Sequence, residues 1–344
     1  MRLLYGVQAT GNGHISRARA MARRLDSHGI QTDFLFSGRP ADKLFEMNDF
    51  GRWQHRQGLT FVTKSGRVDY FQSYREANVR QLWSDIQNLD THNYDLVVTD
   101  FEPVTAWAAK RQGTPVLAIG HQYAFLHPIP RQDDNWFNQQ IFRFFAPADR
   151  HIGLHWDHFD IPQQPGTAIA PPIIDLPELD VAVEQDRVLV YLPFEDEQAV
   201  LQWLKPLGKY QFDIYGFNGK LGRQAHMHFH PPSVKAFKYH LAQASAVLSN
   251  AGFELISEAL QWQKKILVKP LQGQMEQASN ALALTQLQLA HQTQQLNTDT
   301  IAHWLAGPRA PESRHYPDVA AEICRQINVH GSFDSQALWQ QTKR

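Results

Sequence analysis

Two short segments carry residue types that could do chemistry. In Thr10-Gly11-Asn12-Gly13-His14-Ile15-Ser16-Arg17 a histidine follows two glycines. A loop able to approach a ligand closely therefore ends in an imidazole, a group whose ordinary titration lies near neutral pH. A base placed there could take a proton from an attacking hydroxyl, a step typically worth about 10²–10⁴ in rate. In Asp95-Leu96-Val97-Val98-Thr99-Asp100-Phe101-Glu102-Pro103 two acids follow an apolar run. That places Asp100 and Glu102 at the carboxyl end of a strand, where open α/β sheets bind ligands. Asp100 could orient His14, act as the base itself or hold an acceptor, and a purely structural Asp100 would cap the helix opening near Pro103. His121 closes the next apolar run at the same edge.

A third segment, Ser249-Asn250-Ala251-Gly252-Phe253-Glu254-Leu255-Ile256-Ser257-Glu258, reads as the end of a strand, a tight turn and a helix. The free N–H groups of a helix start suit an anion such as a diphosphate, with Gly252 permitting close approach. Glu258, further along that helix, suits charge-assisted hydrogen bonds to ribose hydroxyls. After the next strand, Gln272, Gln274, Glu276, Gln277 and Asn280 offer donors and acceptors matched to sugar hydroxyls.

In order and spacing these residues resemble the nucleotide-sugar signature of inverting GT-B glycosyltransferases, in particular the UDP-N-acetylglucosamine transferases of peptidoglycan precursor synthesis and related prokaryotic glycosyltransferases. The resemblance implies an α/β, GT-B architecture of two Rossmann-like, doubly wound domains facing a central cleft. It implies a metal-independent transferase without cofactor, moving a sugar from a UDP-linked nucleotide-sugar donor to a hydroxyl on a glycan, lipid or small molecule. By the same resemblance His14 and Asp100 are catalytic, and Gly11, Glu102 and His121 lie on the acceptor side. The donor falls to Gly13, Ser249, Asn250, Ala251, Gly252, Glu258, Gln274, Glu276, Gln277 and Asn280, with Val234 in the loop that receives the nucleobase. One departure stands out: Val190-Tyr191-Leu192-Pro193-Phe194-Glu195 has Phe and Glu where relatives have glycine and serine, and these would crowd or repel a donor phosphate. That departure keeps a non-catalytic nucleotide-sugar-binding protein open. The stretch Gly13-His14-Ile15-Ser16-Arg17 likewise keeps open a nucleotide-sugar hydrolase on the same fold.

The elements that must position these residues follow from periodicity. Short apolar runs at 3–7, 33–37, 59–62, 95–99, 115–119, 151–154 and 167–170 alternate with helical patterns, and a second series occupies 188–192, 212–215, 227–229, 246–248 and 266–269. Between them Ala170-Pro171-Pro172-Ile173-Ile174-Asp175-Leu176-Pro177 breaks the rhythm. The expected organisation is a first Rossmann-like domain at 1–170, a linker at 171–185, a nucleotide-sugar domain at 186–316 and a helical segment at 317–344, which the resemblance carries back to the first domain.

At 344 residues with 43% hydrophobic content the chain suffices for two cores. A net charge of -1 gives no basic face for nucleic acid. The chain starts almost at once on a strand, without the basic and apolar regions of a signal peptide, and Cys324 is its only cysteine; both point to the cytoplasm. His226, His228 and His230 alternate, which puts them on one face of a strand, but no carboxylate or cysteine partner is legible nearby and no metal is expected. The Phe137, Ile141, Phe144 and Phe145 stripe reads as core, while Trp136, Phe142 and Arg143 suit a lipid acceptor or peripheral contact with the inner face of a membrane.

Overall fold

A computed structural model describes residues 1–59, 78–217, 221–327 and 333–343, together with the backbone of two short strands at 62–64 and 67–69. In the first half β1 (Arg2–Gln8), β2 (Gln31–Ser37) and β3 (Trp53–His55) are followed by an isolated antiparallel pair, β4 (Val62–Lys64) and β5 (Arg67–Asp69). Then come β6 (Leu96–Asp100), β7 (Val116–Gly120), β8 (Arg150–Leu154) and β9 (Thr167–Ala170). The described residues make one parallel sheet in the order β3-β2-β1-β6-β7-β8-β9. The strand expected at 59–62 falls partly on Thr60 and Phe61, outside the described residues, and the sheet edge is completed earlier by β3.

A second sheet begins at β10 (Glu184–Tyr191) and adds β11 (Gln211–Tyr215), β12 (Gly222–Gln224), β13 (Met227–Phe229), β14 (Ala244–Ser249), β15 (Lys265–Val268) and β16 (His291–Gln292). Its order is β12-β13-β11-β10-β14-β15-β16, with β12 antiparallel to β13. The central strands are buried along most of their length, as expected of parallel strands covered on both faces.

The covering helices in the first half are α1 (Asn12–Ser27), α2 (Val79–Asn88), α3 (Pro103–Gln112) and α4 (Trp136–Phe144). Those in the second are α5 (Glu197–Leu204), α6 (Val234–Gln243), α7 (Phe253–Gln261), α8 (Met275–Gln286) and α9 (Thr298–Ala306), and α10 (Val319–Ile327) and α11 (Gln336–Gln341) end the chain. Strand order reverses between β1 and β6 in the first sheet and between β10 and β14 in the second. Doubly wound sheets bind ligands at such switch points. The helices springing from them include α1 and α3 on one side and α7 on the other.

The first switch point is closely packed. A Cβ on Gly6, in the middle of β1, would stand 2.0 Å from Thr105 Oγ1, so only glycine lets α3 sit this near the strand. One apolar core runs through both halves, from Leu3 and Met21 by way of Trp156 to Phe253 and Ile256, and on to Ile323 and Cys324 of α10. Helix α10 packs on α1, and the Trp339 indole N–H donates to the Ile169 carbonyl at 2.8 Å.

In α4 half of the expected core stripe holds, since Ile141 and Phe145 pack on the core, Phe145 with its ring centroid 5.0 Å from that of Phe101. Asn138 and Phe142 are the buried residues, Phe142 stacking on Phe125, whereas Phe137 and Phe144 are exposed along with Trp136. Asn135 caps the helix by accepting from the Asn138 N–H, and this start turns the Asn138 and Phe142 side inward. Among the described residues no helix is long and apolar enough to cross a membrane.

Candidate active site

Helix α1 starts directly off β1 with Gly11 as its N-cap, extended and without a side-chain cap, so the first N–H groups are not satisfied by a capping side chain. His14 lies in the first turn and Arg17 three residues on, the spacing that puts two side chains on one helix face. Asp100 is the last residue of β6 and pairs in register with Val7 of β1. It has no exposed surface and accepts at Oδ1 from His14 Nδ1 at 2.8 Å. Arg17 grips the same carboxylate with Nε on Oδ2 at 2.8 Å and Nη2 on Oδ1 at 2.5 Å.

Burial works to raise the Asp100 pKa, but Arg17 and His14 more than cancel it and hold the carboxyl below its ordinary range. His14 Nδ1 lies between the Asp100 carboxylate at 2.8 Å and Arg17 Nη2 at 3.0 Å; the tautomer that donates from Nδ1 to the carboxylate leaves the Nε2 lone pair for another partner. The chain turns sharply after Asp100, because Phe101 is held at φ 54, in the left-handed region that side chains rarely adopt.

Glu102, expected on the acceptor side, is instead the N-cap of α3. It is fully buried and accepts from Val104 N, Thr105 N, Thr105 Oγ1 and Ser37 Oγ, so both oxygens are consumed internally. His121 is also buried rather than open to an acceptor. Its ring lies parallel to Phe253 with centroids 4.0 Å apart, and its nitrogens meet the Leu154 carbonyl at 2.8 Å and Asn280 Oδ1 at 2.7 Å. Burial lowers the His121 pKa.

Across the seam, β14 ends at Ser249 and α7 opens at Gly252, again without a side-chain cap. Gly252 has φ −74, an ordinary conformation, and no protein atom lies within 4 Å of the place a Cβ would occupy. The Cβ side of Gly252 is therefore open, while its own N–H donates to the Asn250 carbonyl at 2.8 Å. Ser249, Asn250 and Ala251 shape the turn: Ser249 Oγ donates to the Asn250 carbonyl, Asn250 Nδ2 to Glu195 Oε1 at 3.1 Å, and the Ala251 carbonyl accepts from Asn280 Nδ2 at 2.9 Å. The expected repulsion by Glu195 is removed, since Lys269 Nζ donates to it at 2.6 Å, while Phe194 is exposed.

The remaining donor candidates divide. Glu258 is buried and paired with Lys238, and also accepts from Ser16 Oγ of α1 at 3.1 Å, so it joins the two halves rather than lining an open pocket. Burial raises its pKa against the opposing pull of Lys238. Gln277 Oε1 accepts from Leu271 N at 3.0 Å and Asn280 is completely buried, so both serve the loop and seam; Glu276 accepts from Gln122 of the first half at 3.0 Å. Gln274, the N-cap of α8, keeps a buried Oε1 without a hydrogen-bond partner among the described residues. The Val234 N–H donates to the carboxylate of Glu46 at 3.1 Å.

Sequence reasoning gave no role to Glu254, Lys238 or Arg39, and quoted Arg17 only within its motif. Arg17 Nη1 meets Glu254 Oε1 across the seam, and Glu254 lies so close to Gly13 that a Cβ there would come within 2.5 Å of Oε2. Gly11 has no such neighbour. Arg39 donates to Asn12 Oδ1 at 2.8 Å and to the Thr10 carbonyl at 3.1 Å, bracing the glycine loop. Only the spacing of His14 and Arg17 was a usable signal, since the other partners are distant in sequence.

A profile described as glycosyl transferase family 1 matches residues 1–308. No curated protein sequence matches the chain. Among solved structures, the spinosyn forosaminyltransferase SpnP is similar at TM-score 0.60 and 13% identity, covering 98% of this chain and 97% of its own. LpCGTa in complex with UDP gives 0.59 and 15%, covering 98% and 97%. MurG of Acinetobacter baumannii gives 0.58 and 14%, covering 95% and 99%. At these identities the likeness is one of fold, and that fold is GT-B.

Proposed function

The chain belongs to glycosyl transferase family 1, and from that premise we propose that it is an inverting glycosyltransferase using a nucleoside-diphosphate sugar, UDP-linked, and a hydroxyl acceptor. The carrying observation is the chain His14, Asp100 and Arg17 at one switch point, facing the uncapped start of α7 at the other. In this reading His14 Nε2 takes the acceptor proton while the acceptor oxygen attacks the anomeric carbon. The bond from that carbon to the diphosphate oxygen breaks on the opposite face, and its electron pair leaves with the diphosphate. Asp100 carries the counter-charge of the imidazolium that forms, as an orienting carboxylate does in other histidine-based sites. The Gly252 N–H is taken by the Asn250 carbonyl, so the N–H groups of the first turn of α7 beyond it receive the departing charge, a preorganised stabilisation that usually supplies the largest share of catalysis. Two structural neighbours crystallised with UDP and dTDP, LpCGTa and VinC, support the class of donor.

Glu254 must withdraw from Arg17 and Gly13 for a diphosphate to reach this place. The test is turnover of a panel of UDP- and dTDP-sugars with and without hydroxyl acceptors, with product configuration followed by NMR. Acceptor-dependent transfer with inversion is expected. Retention of configuration, or equal release of free sugar without acceptor, would overturn the reading.

A further inference from the structure

The sequence shows no carboxylate near the alternating histidines, but the fold provides one. Strands β11 and β13 pair with Asp213 opposite His228, which sends both side chains from the same face of the sheet. His230 follows on that face at the end of β13, and α6 brings His240 over it. One carboxylate oxygen of Asp213 and one nitrogen each of His230 and His240 lie within 4.8 Å of one another. Asp213 Oδ1 is 2.8 Å from His230 Nε2, and the His230 and His240 ring centroids are 4.3 Å apart. His228, its centroid 6.5 Å from that of His230, has a buried Nε2 without a hydrogen-bond partner among the described residues. His226 is diverted to the Leu204 carbonyl at 3.1 Å and takes no part.

We propose that Asp213, His230 and His240, with His228 as fourth ligand, form a binding site for one divalent transition-metal ion of the zinc type. Imidazole and carboxylate are the donors such an ion takes, and ligand bonds of about 2.0–2.2 Å in a tetrahedron separate ligand atoms by about 3.3–3.6 Å. Asp213, His230 and His240 need only side-chain adjustment to reach that spacing, and His228, which lies outside that group, must turn its Nε2, unpartnered among the described residues, toward it. Its outer partners are in place: the Tyr215 hydroxyl meets His240 Nδ1 at 2.8 Å, which leaves Nε2 for the ion, and Arg187 Nη1 holds Asp213 Oδ2 at 2.8 Å, which leaves Oδ1. The positive charge of Arg187 is offset by Glu184 at 2.9 Å. None of these residues is among those assigned above to catalysis, donor or acceptor. The ion would staple β11, β13 and α6 beneath the 230–234 loop, whose Val234 meets Glu46.

The full chain, treated with EDTA and dialysed, is titrated with ZnCl₂ by calorimetry and with CoCl₂ by visible absorption. One equivalent of zinc and the intense d–d bands of four-coordinate cobalt are expected. His230→Gln and His240→Gln, which keep a hydrogen-bonding side chain of similar volume, should each lower zinc affinity by more than the roughly 10–100-fold expected of Tyr215→Phe in the outer shell. His228→Gln should weaken binding too, and His92→Ala, on the exposed far half, should not. Circular dichroism identifies the folded variants. No stoichiometric binding by the parent chain, or undiminished affinity in folded His230→Gln and His240→Gln, would overturn the site.

Discussion

Asp100 answers to two partners, Arg17 and His14, through two oxygens, so substitutions around it separate chemistry from stability. His14→Ala leaves the Asp100 and Arg17 pair intact; turnover should fall by about 10²–10⁴ with donor affinity nearly unchanged. Asp100→Asn should lose turnover on a similar scale and in addition about 3–5 kcal/mol of stability, because among the described residues the buried Arg17 then keeps Glu254 as its one ion-pair contact. Kinetics at saturating donor and chemical denaturation read the two effects; a fully stable Asp100→Asn protein would contradict the burial argument. The pH dependence has a definite sign. With its folded pKa below the ordinary 3.8, Asp100 is less protonated in the folded than in the unfolded chain, so its contribution is complete above 3.8 and is lost as pH falls through the depressed value. Glu258 runs the other way: its raised pKa makes the folded chain bind more protons, and stability declines as pH climbs from 4.5 toward the raised value. Acid titration of stability should therefore lose part of its slope below 3.8 in Asp100→Asn and not in Glu258→Gln.

Helix α3 depends on Glu102 for its first turn and for its tie to Ser37 of β2. Glu102→Ala should cost about 1–3 kcal/mol in denaturant unfolding while donor affinity, measured by calorimetry, stays unchanged. A loss of affinity without loss of stability would return Glu102 to the ligand site. The same helix illustrates what was legible beforehand. Central strands such as β6 and β7 announce themselves as unbroken apolar runs, because both faces are covered. Edge strands β3, β12 and β16 are two or three residues long and carry Gln54, Arg223 or Gln292, so no pattern marks them. His14 and Asp100 could be placed because a loop after one strand and the end of its neighbour in the sheet must converge. Their clasp by Arg17 could be read only as spacing, and the pairings of Glu254, Lys238 and Asp213 join residues whose contacts the chain order hides. Glu102, His121, Gln277 and Asn280 have the right chemistry for sugar hydroxyls, yet the same hydrogen-bonding capacity is consumed inside the protein.

At the scale of the whole molecule, α1 stands between the two sheets. It starts from β1 but reaches the second half through Ser16 to Glu258 and through Arg17 to Glu254, while Trp156 donates to Ser257 at 2.8 Å and His121 stacks on Phe253. In the proposed reading a donor diphosphate and the Glu254 carboxylate are both anions drawn to the same helix start, where they would repel each other and compete for Arg17. Glu254→Ala should tighten donor binding by roughly tenfold, or about 1.4 kcal/mol, and unchanged or weaker affinity by calorimetry would show that Glu254 is not in the way. The position of Glu254 against Gly13 and Arg17 also sets an order in time. In the proposed reading an acceptor arriving first meets a shut seam beside His14, whereas a donor arriving first displaces the carboxylate and opens a path to the base. Steady-state rates should then follow a compulsory sequence, with the free nucleoside diphosphate competing against donor alone. An unreactive acceptor analogue should be uncompetitive toward donor, since it finds a place only after the donor is bound, and a noncompetitive pattern would mean that either substrate enters first.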